Sequence, residues 1–218
     1  MSKRAIYDFL RDLSDNNSKR WMDQHRERYE EVKKIWIAAC GRLLSELAEQ
    51  DDFYQDIEAK DTIERINNNL LYHPDKPTYK DHFGFAPGAI KGTGLYVSVS
   101  PSYSFIGGGV HNRDNDMLKT IRKKIDADGD ELRKILDDQD FRDYFGDGLE
   151  EDPKQLKTSP QGYSQDHPHI DLLRRKNFTI SRRITQEEVI SDAFPEVVGE
   201  AYRKMMPLLH FMRKALEK

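Results

Sequence analysis

The feature that most constrains this chain is an apolar stripe running from Ser18 to about Gln50. Trp21, His25, Tyr29, Val32, Trp36, Ala39, Leu43 and Leu47 recur at steps of three or four, with Glu, Lys and Arg between them. Residues so spaced share one face of an α-helix, so the stripe predicts a helix buried along its length. At ~1.5 Å per residue the helix would run nearly 50 Å. It is expected to be the spine of the fold, or to break once near Gly41.

Shorter elements are arranged around that spine. Ile6, Phe9, Leu10 and Leu13 predict a preceding amphipathic helix, closed by the capping types Ser14-Asp15-Asn16-Asn17. Thr62 to Leu70 reads as a strand, and Gly84 to Gly94 as irregular chain. Leu95 to Ser100 alternates as a half-buried strand does, and Tyr103 to Ile106 is its hairpin partner across Pro101-Ser102. Gly107-Gly108-Gly109 reads as the hairpin exit or a bulge. Two helices are expected around Asp128-Gly129, then the aromatic group Phe141, Tyr144 and Phe145. Lys157 to His169 reads as a loop, His169 to Arg175 as a short helix and Phe178 to Ser181 as a strand. Thr185-Gln186-Glu187-Glu188 has the form of a capping box. Val197 to Leu216 closes the chain as a helix kinked at Pro207, and Pro195 suits a first helical turn. With no internal repeat and no low-complexity linker, residues 1–218 are read as one α+β domain: a long N-terminal helix and a C-terminal helix packed on a mostly antiparallel sheet.

Charge narrows the function classes. The formal net charge is -4, which favours solubility and makes a nucleic-acid partner unlikely. Asp126 to Asp152 holds 12 acids against 3 bases, so an anion site is expected outside it. Arg174-Arg175-Lys176 and Arg182-Arg183 make a short basic patch. The single cysteine, Cys40, excludes a disulfide framework within the chain and a Cys-based zinc site, and it reads as a small buried hydrophobe. No run approaches the ~20 apolar residues a membrane helix needs, and the start of the sequence lacks a signal-peptide pattern. The expectation is a cytoplasmic protein with no membrane partner.

Several segments together resemble a known family. They are Phe9-Leu10 with Asn16-Asn17 and Trp21; Tyr29-Glu30; Asp75-Lys76-Pro77-Thr78-Tyr79-Lys80; the Tyr96 strand; Gly107-Gly108-Gly109; and Ile121-Arg122 with Ile125. Leu156-Lys157, Pro160, Gly162-Tyr163, Asp166-His167-Pro168, Leu172-Leu173 and Lys176 complete the pattern. The chain resembles, over nearly its whole length, the conserved hypothetical family called domain of unknown function twenty-four sixty-one, of bacteria and fungi. The resemblance implies a single-domain α+β protein. It supplies no activity, cofactor or catalytic residue. Met22 stands where the family has a second aromatic residue, and Leu71-Tyr72 where it has Arg-Phe.

Arg65 to Phe83 is the densest polar stretch. Pro74 and Pro77 stiffen it, and stiff loops on a scaffold often carry sites. The candidate ligand-binding residues are Arg65, Lys76, Tyr79, Lys80, Tyr96, Lys157, His167 and Lys176. Arg and Lys can grip a phosphate or carboxylate, and the tyrosines offer a hydroxyl or a stacking face. The loops 65–83 and 157–176 are expected to face each other across one basic cleft that takes a small anionic or phosphorylated ligand. The alternative is a non-catalytic interaction module using the acidic segment 126–152. Familiar nucleotide-binding glycine motifs are absent, no cofactor is implied, and His167-Pro168-His169 is too weak a pattern to assign a metal. Whether the protein is an enzyme is left open.

Overall fold

The computed structural model describes residues 2–111 and 114–217. In chain order the helices are α1 Arg4–Asp15, α2 Lys19–Gln24, α3 Arg26–Ala48, α4 Asn115–Asp137, α5 Gln139–Phe145, α6 Ile170–Leu173, α7 Gln186–Ile190 and α8 Phe194–Ala215. The strands are β1 Phe83–Phe85, β2 Ala89–Ile90, β3 Thr93–Val99, β4 Ser104–Val110 and β5 Phe178–Ile184. They form one sheet in the order β1-β3-β4-β5, with β2 also pairing β3; β1 and β2 both run antiparallel to β3. The fold is α+β, with a long N-terminal helix and a long C-terminal helix.

Two compact units are distinguished. The first comprises the chain up to Gly88 with Tyr96–Ile106 and Arg183–Glu200; the second comprises Ala89–Leu95, Gly107–Arg182 and the chain from Ala201 onward. In the first, α1 lies against α3, and Ile6, Phe9, Leu10 and Leu13 join Val32, Trp36, Leu43 and Leu47 in the core. The Phe9 ring is 5.8 Å from Trp21 and 5.9 Å from Tyr29, and Phe83 of β1 is 6.3 Å from Trp36. The indole N–H of Trp36 donates to the Gly84 carbonyl at 3.2 Å. In the second unit Leu118, Ile121, Ile125 and Leu132 line α4, while Met205, Leu208, Leu209 and Met212 line α8. Thr185 and Glu188 form the expected capping box of α7.

Several local expectations are corrected. The long helix breaks at His25, not at Gly41. His25 has φ -114° and ψ 23°, its ring stacks 4.1 Å from Trp21, and its Nδ1 lies 2.8 Å from the Trp21 carbonyl. Gly41 stays helical within α3, where an alanine there would meet only the Ala59 side chain at 3.8 Å. Around Asp128 the two expected helices are present, joined end to end within α4 at a kink where Asp128 alone leaves helical geometry. Gly84 to Gly94, expected to be irregular, carries most of β1, all of β2 and the start of β3. The triple glycine runs inside β4. A side chain on Gly109, whose φ is +123°, would overlap the Phe178 carbonyl, and one on Gly108 would crowd Met205 and the Gly94 carbonyl. These glycines therefore let neighbouring chain approach closely.

Candidate functional site

Most of the candidate residues in the first unit hang on an irregular two-strand ladder. The Ala86 N–H donates to the Thr62 carbonyl at 2.7 Å, and the Glu64 N–H to the Gly84 carbonyl at 3.3 Å. Further along, the Lys80 N–H donates to Ile66 at 2.7 Å and the Asn68 N–H to Thr78 at 3.0 Å. From one pair to the next, one side advances from Glu64 to Ile66 while the other goes from Gly84 back to Lys80. The surplus residues make a bulge, a device that re-aims side chains. That is why Thr62 to Leu70, expected as a strand, survives only as the bridges Ile63–Phe85 and Asn67–Tyr79.

The bulge brings Lys80 and His82 to one residue, Glu64. Lys80 Nζ donates to Glu64 Oε2 at 2.6 Å, and the Tyr96 hydroxyl donates to the same oxygen at 3.1 Å. His82 Nε2 stands 3.8 Å away, at ion-pair distance, while its Nδ1 is 3.2 Å from Asp81 Oδ1. Ser102 in turn donates to the other Asp81 oxygen at 3.3 Å. Gly84 leaves the space this needs, since a Cβ there would be 2.6 Å from the Tyr96 hydroxyl.

The electrostatics follow from the contacts. His82 beside it, opposed by burial and reinforced by Lys80 and Tyr96, brings the Glu64 carboxyl down to about 2. Burial, then the Glu64 charge, pushes the Tyr96 phenol well above its ordinary value. The two shifts move away from neutrality in opposite directions. Glu64 stays ionised and Tyr96 stays a donor near pH 7, whereas a group that exchanges protons works best with its pKa near the operating pH. Glu64 and Tyr96 thus keep their protonation states fixed near neutral pH.

Two surfaces adjoin it. On the outer side of the sheet, Tyr96 is 5.8 Å from Phe105, Phe105 is 5.7 Å from Tyr103, and the Arg183 guanidinium lies 5.6 Å over Tyr103. Glu64 also lines an open groove of about 310 Å³, floored by Tyr29, Ile37, Ile63 and Ile66 and rimmed by Lys33, Lys60 and Arg65. Lys33 lies 4.0 Å from Glu30, and Lys60 is paired with Glu58. Arg65 is exposed and has no hydrogen-bond or ion-pair partner among the described residues.

The other candidates have different surroundings. Tyr79 is 4% exposed, so its ring belongs to the core. Its backbone N–H and carbonyl are both bonded at 2.9 Å by the Asn17 side chain, which braces the loop. Lys76 is exposed, and its backbone N–H donates to the His73 carbonyl. Lys157, His167 and Lys176 belong to the second unit. Lys157 is exposed. His167 Nε2 is 3.0 Å from Asp126, and its Nδ1 accepts from the His169 N–H at 3.0 Å, so both ring nitrogens are engaged. Lys176 contributes its backbone N–H to the buried Asp152 carboxylate, which also takes the Asn177 N–H and side-chain amide at 2.9 Å each and the Lys154 N–H at 3.2 Å. Among the described residues no three His, Cys, Asp or Glu side chains are placed to hold a metal.

Sequence reasoning passed over Glu64 and Asp152. One signal for Glu64 was available: it is the only acid between Thr62 and Leu70. The side chain of Cys40 is buried, and burial pushes its thiol up to about 12, as for a packing residue. Among the described residues no helix is long and apolar enough to cross a membrane.

Comparison with known proteins gives a family and nothing finer. The family described as conserved hypothetical protein (DUF2461) matches residues 5–211. Neither a curated protein nor a solved structure matches the chain. The chain belongs to this conserved hypothetical family.

Proposed function

We propose that the protein binds a small ligand carrying an anionic group, phosphate or carboxylate, in the Arg65 groove of the first unit. The observation that carries this reading is the unpartnered Arg65 guanidinium on the rim of a groove with an apolar floor. A planar cationic fork with open donors is matched to a carboxylate or phosphate, and small-ligand sites combine apolar walls with few polar groups. Glu64 links groove and cluster, and its fixed charge orients a hydroxyl or amine on the same ligand. Another hollow, about 590 Å³ in the second unit, sets Lys134, Arg203, Lys204 and Lys214 against Glu131, Asp138 and Asp140, a near balance that selects a single charged group only weakly.

The competing proposal, an acidic docking surface over 126–152, has less support. All of its carboxylates except Asp147 and Glu151 hold a partner among the described residues; examples are Asp128 with Lys124, Asp137 with Arg142, and Glu150 with Thr179 and Ser181.

The test is a thermal-shift screen of anionic metabolites, followed by calorimetry on Arg65→Glu. A ligand at ~100 times its Kd adds about 2.7 kcal/mol to the native state. The expected outcome is a hit whose binding Arg65→Glu abolishes while the unliganded melting temperature is kept. A hit bound equally by wild type and Arg65→Glu rejects the groove.

A further inference from the structure

A second hollow in the first unit, about 480 Å³ and distant in sequence from the Arg65 loop, collects positive charge. Its wall includes Ser2, Lys3, Lys34, Ala38, Arg42 and Asp192. Lys34, Ala38 and Arg42 lie four residues apart along α3 and so share one face. Lys34 and Arg42 are then ~12 Å apart along the axis, each with a long flexible side chain, and the small Ala38 leaves the floor between them open. Neither has a hydrogen bond or ion pair among the described residues. Of the carboxylates within helical reach, Glu30 pairs with Lys33 and Glu46 accepts from Gln50, while Glu31, three residues before Lys34, makes no ion pair with it.

The third cation is of another kind. Lys3 is only 8% exposed; its ammonium donates to the Ser191 carbonyl and stands 5.6 Å from the Phe194 ring. Burial, then the Arg42 charge, lowers its pKa, while Asp192 and Glu196 oppose that shift. A buried ammonium that feels a second cation gains from any anion placed between them. In the hollow itself, three cations face one carboxylate, Asp192.

We infer that this hollow is a second anion site, for a phosphate group held by Lys3, Lys34 and Arg42. The net charge of the lining matches a phosphate dianion, and Ile35 and Ile190 on the same wall leave room for a small substituent on the phosphate. Arg42 offers a planar fork to two phosphate oxygens, and Lys34 a point charge from the opposite end.

The probe is inorganic phosphate, titrated at low ionic strength into protein without an N-terminal tag. Binding is followed by calorimetry and by amide chemical shifts. The expected result is saturable binding with shifts centred on Lys3, Lys34 and Arg42. Lys34→Glu and Arg42→Glu, both exposed and unpaired in the fold, each weaken it by at least about tenfold. Arg65→Glu leaves it unchanged, which separates this site from the groove. Saturable binding that survives Arg42→Glu, binding that depends on Arg65 alone, or no saturation at millimolar phosphate overturns the inference.

Discussion

Glu64 and Asp152 are both carboxylates held below the ordinary range, and they are held by different kinds of donor. Asp152 is buried, and against that burial the N–H groups of Lys176, Asn177 and Lys154 and the Asn177 amide draw its pKa down. Three of its four donors are backbone groups, fixed by the chain path. Among the described residues Glu64 takes no comparable backbone bond to its carboxylate; its partners there are Lys80, Tyr96 and His82, all side chains with some exposure. A carboxylate clamped by backbone defines a loop. One surrounded by side chains can exchange a partner for a ligand without disturbing the chain. Two segments similar in composition, 65–83 and 157–176, thus differ: the second only ends at the Asp152 clamp, where Lys176 joins Asn177 and Lys154, while Glu64 leaves the first adjustable.

The comparison predicts unequal costs. Asp152→Ala strands two buried Asn177 donors and two part-buried N–H groups at once and should destabilise the protein by roughly 3 kcal/mol in denaturant unfolding. A cost under ~1 kcal/mol would show that the clamp is not structural. Glu64→Gln should cost less, about 1–2 kcal/mol at pH 7 after allowing for the partial exposure of the pair. The sign of its pH dependence is fixed by the shift. Glu64 is lowered from 4.5 to about 2, so its contribution is present above pH 4.5 and fades as the pH falls toward about 2. The stability gap between wild type and Glu64→Gln should therefore close over that window. A gap independent of pH means that the charge of Glu64 contributes nothing.

The reach of the sequence can be judged on the same residues. The α3 stripe is legible because a 3.6-residue period over many turns has no other cause. The break at His25 is not, because it depends on a histidine stacking on Trp21 in place of continuing the helix. β1 and β2, three and two residues long, are too short for any period to register. Lys80 and Tyr96 are visible as residue types, but their meeting at Glu64 depends on a bulge that leaves no local signature. Lys176 is visible as a base, although the structure uses its backbone N–H, a group that every residue except proline carries. Side-chain chemistry reads from sequence; register and backbone donors do not.

The finest test of the contrast lies in the space around Tyr96. Alanine at Gly84 would place its Cβ 2.6 Å from the Tyr96 hydroxyl and 3.0 and 3.1 Å from Glu64 Cγ and Cδ. Gly84 has no left-handed φ, so any cost of Gly84→Ala comes from crowding and not from backbone strain. Tyr96→Phe removes both the crowded atom and the hydrogen bond to Glu64, at about 1 kcal/mol alone. Because the two changes act on one hydroxyl, the double variant should be more stable than the sum of the singles predicts, by about 0.5–1 kcal/mol in a double-mutant cycle. Additive costs would mean that Gly84 is glycine for some reason other than Tyr96. The adjustability ascribed to the Glu64 cluster would then lose its structural basis, because its side chains would have been set without regard to the space they share.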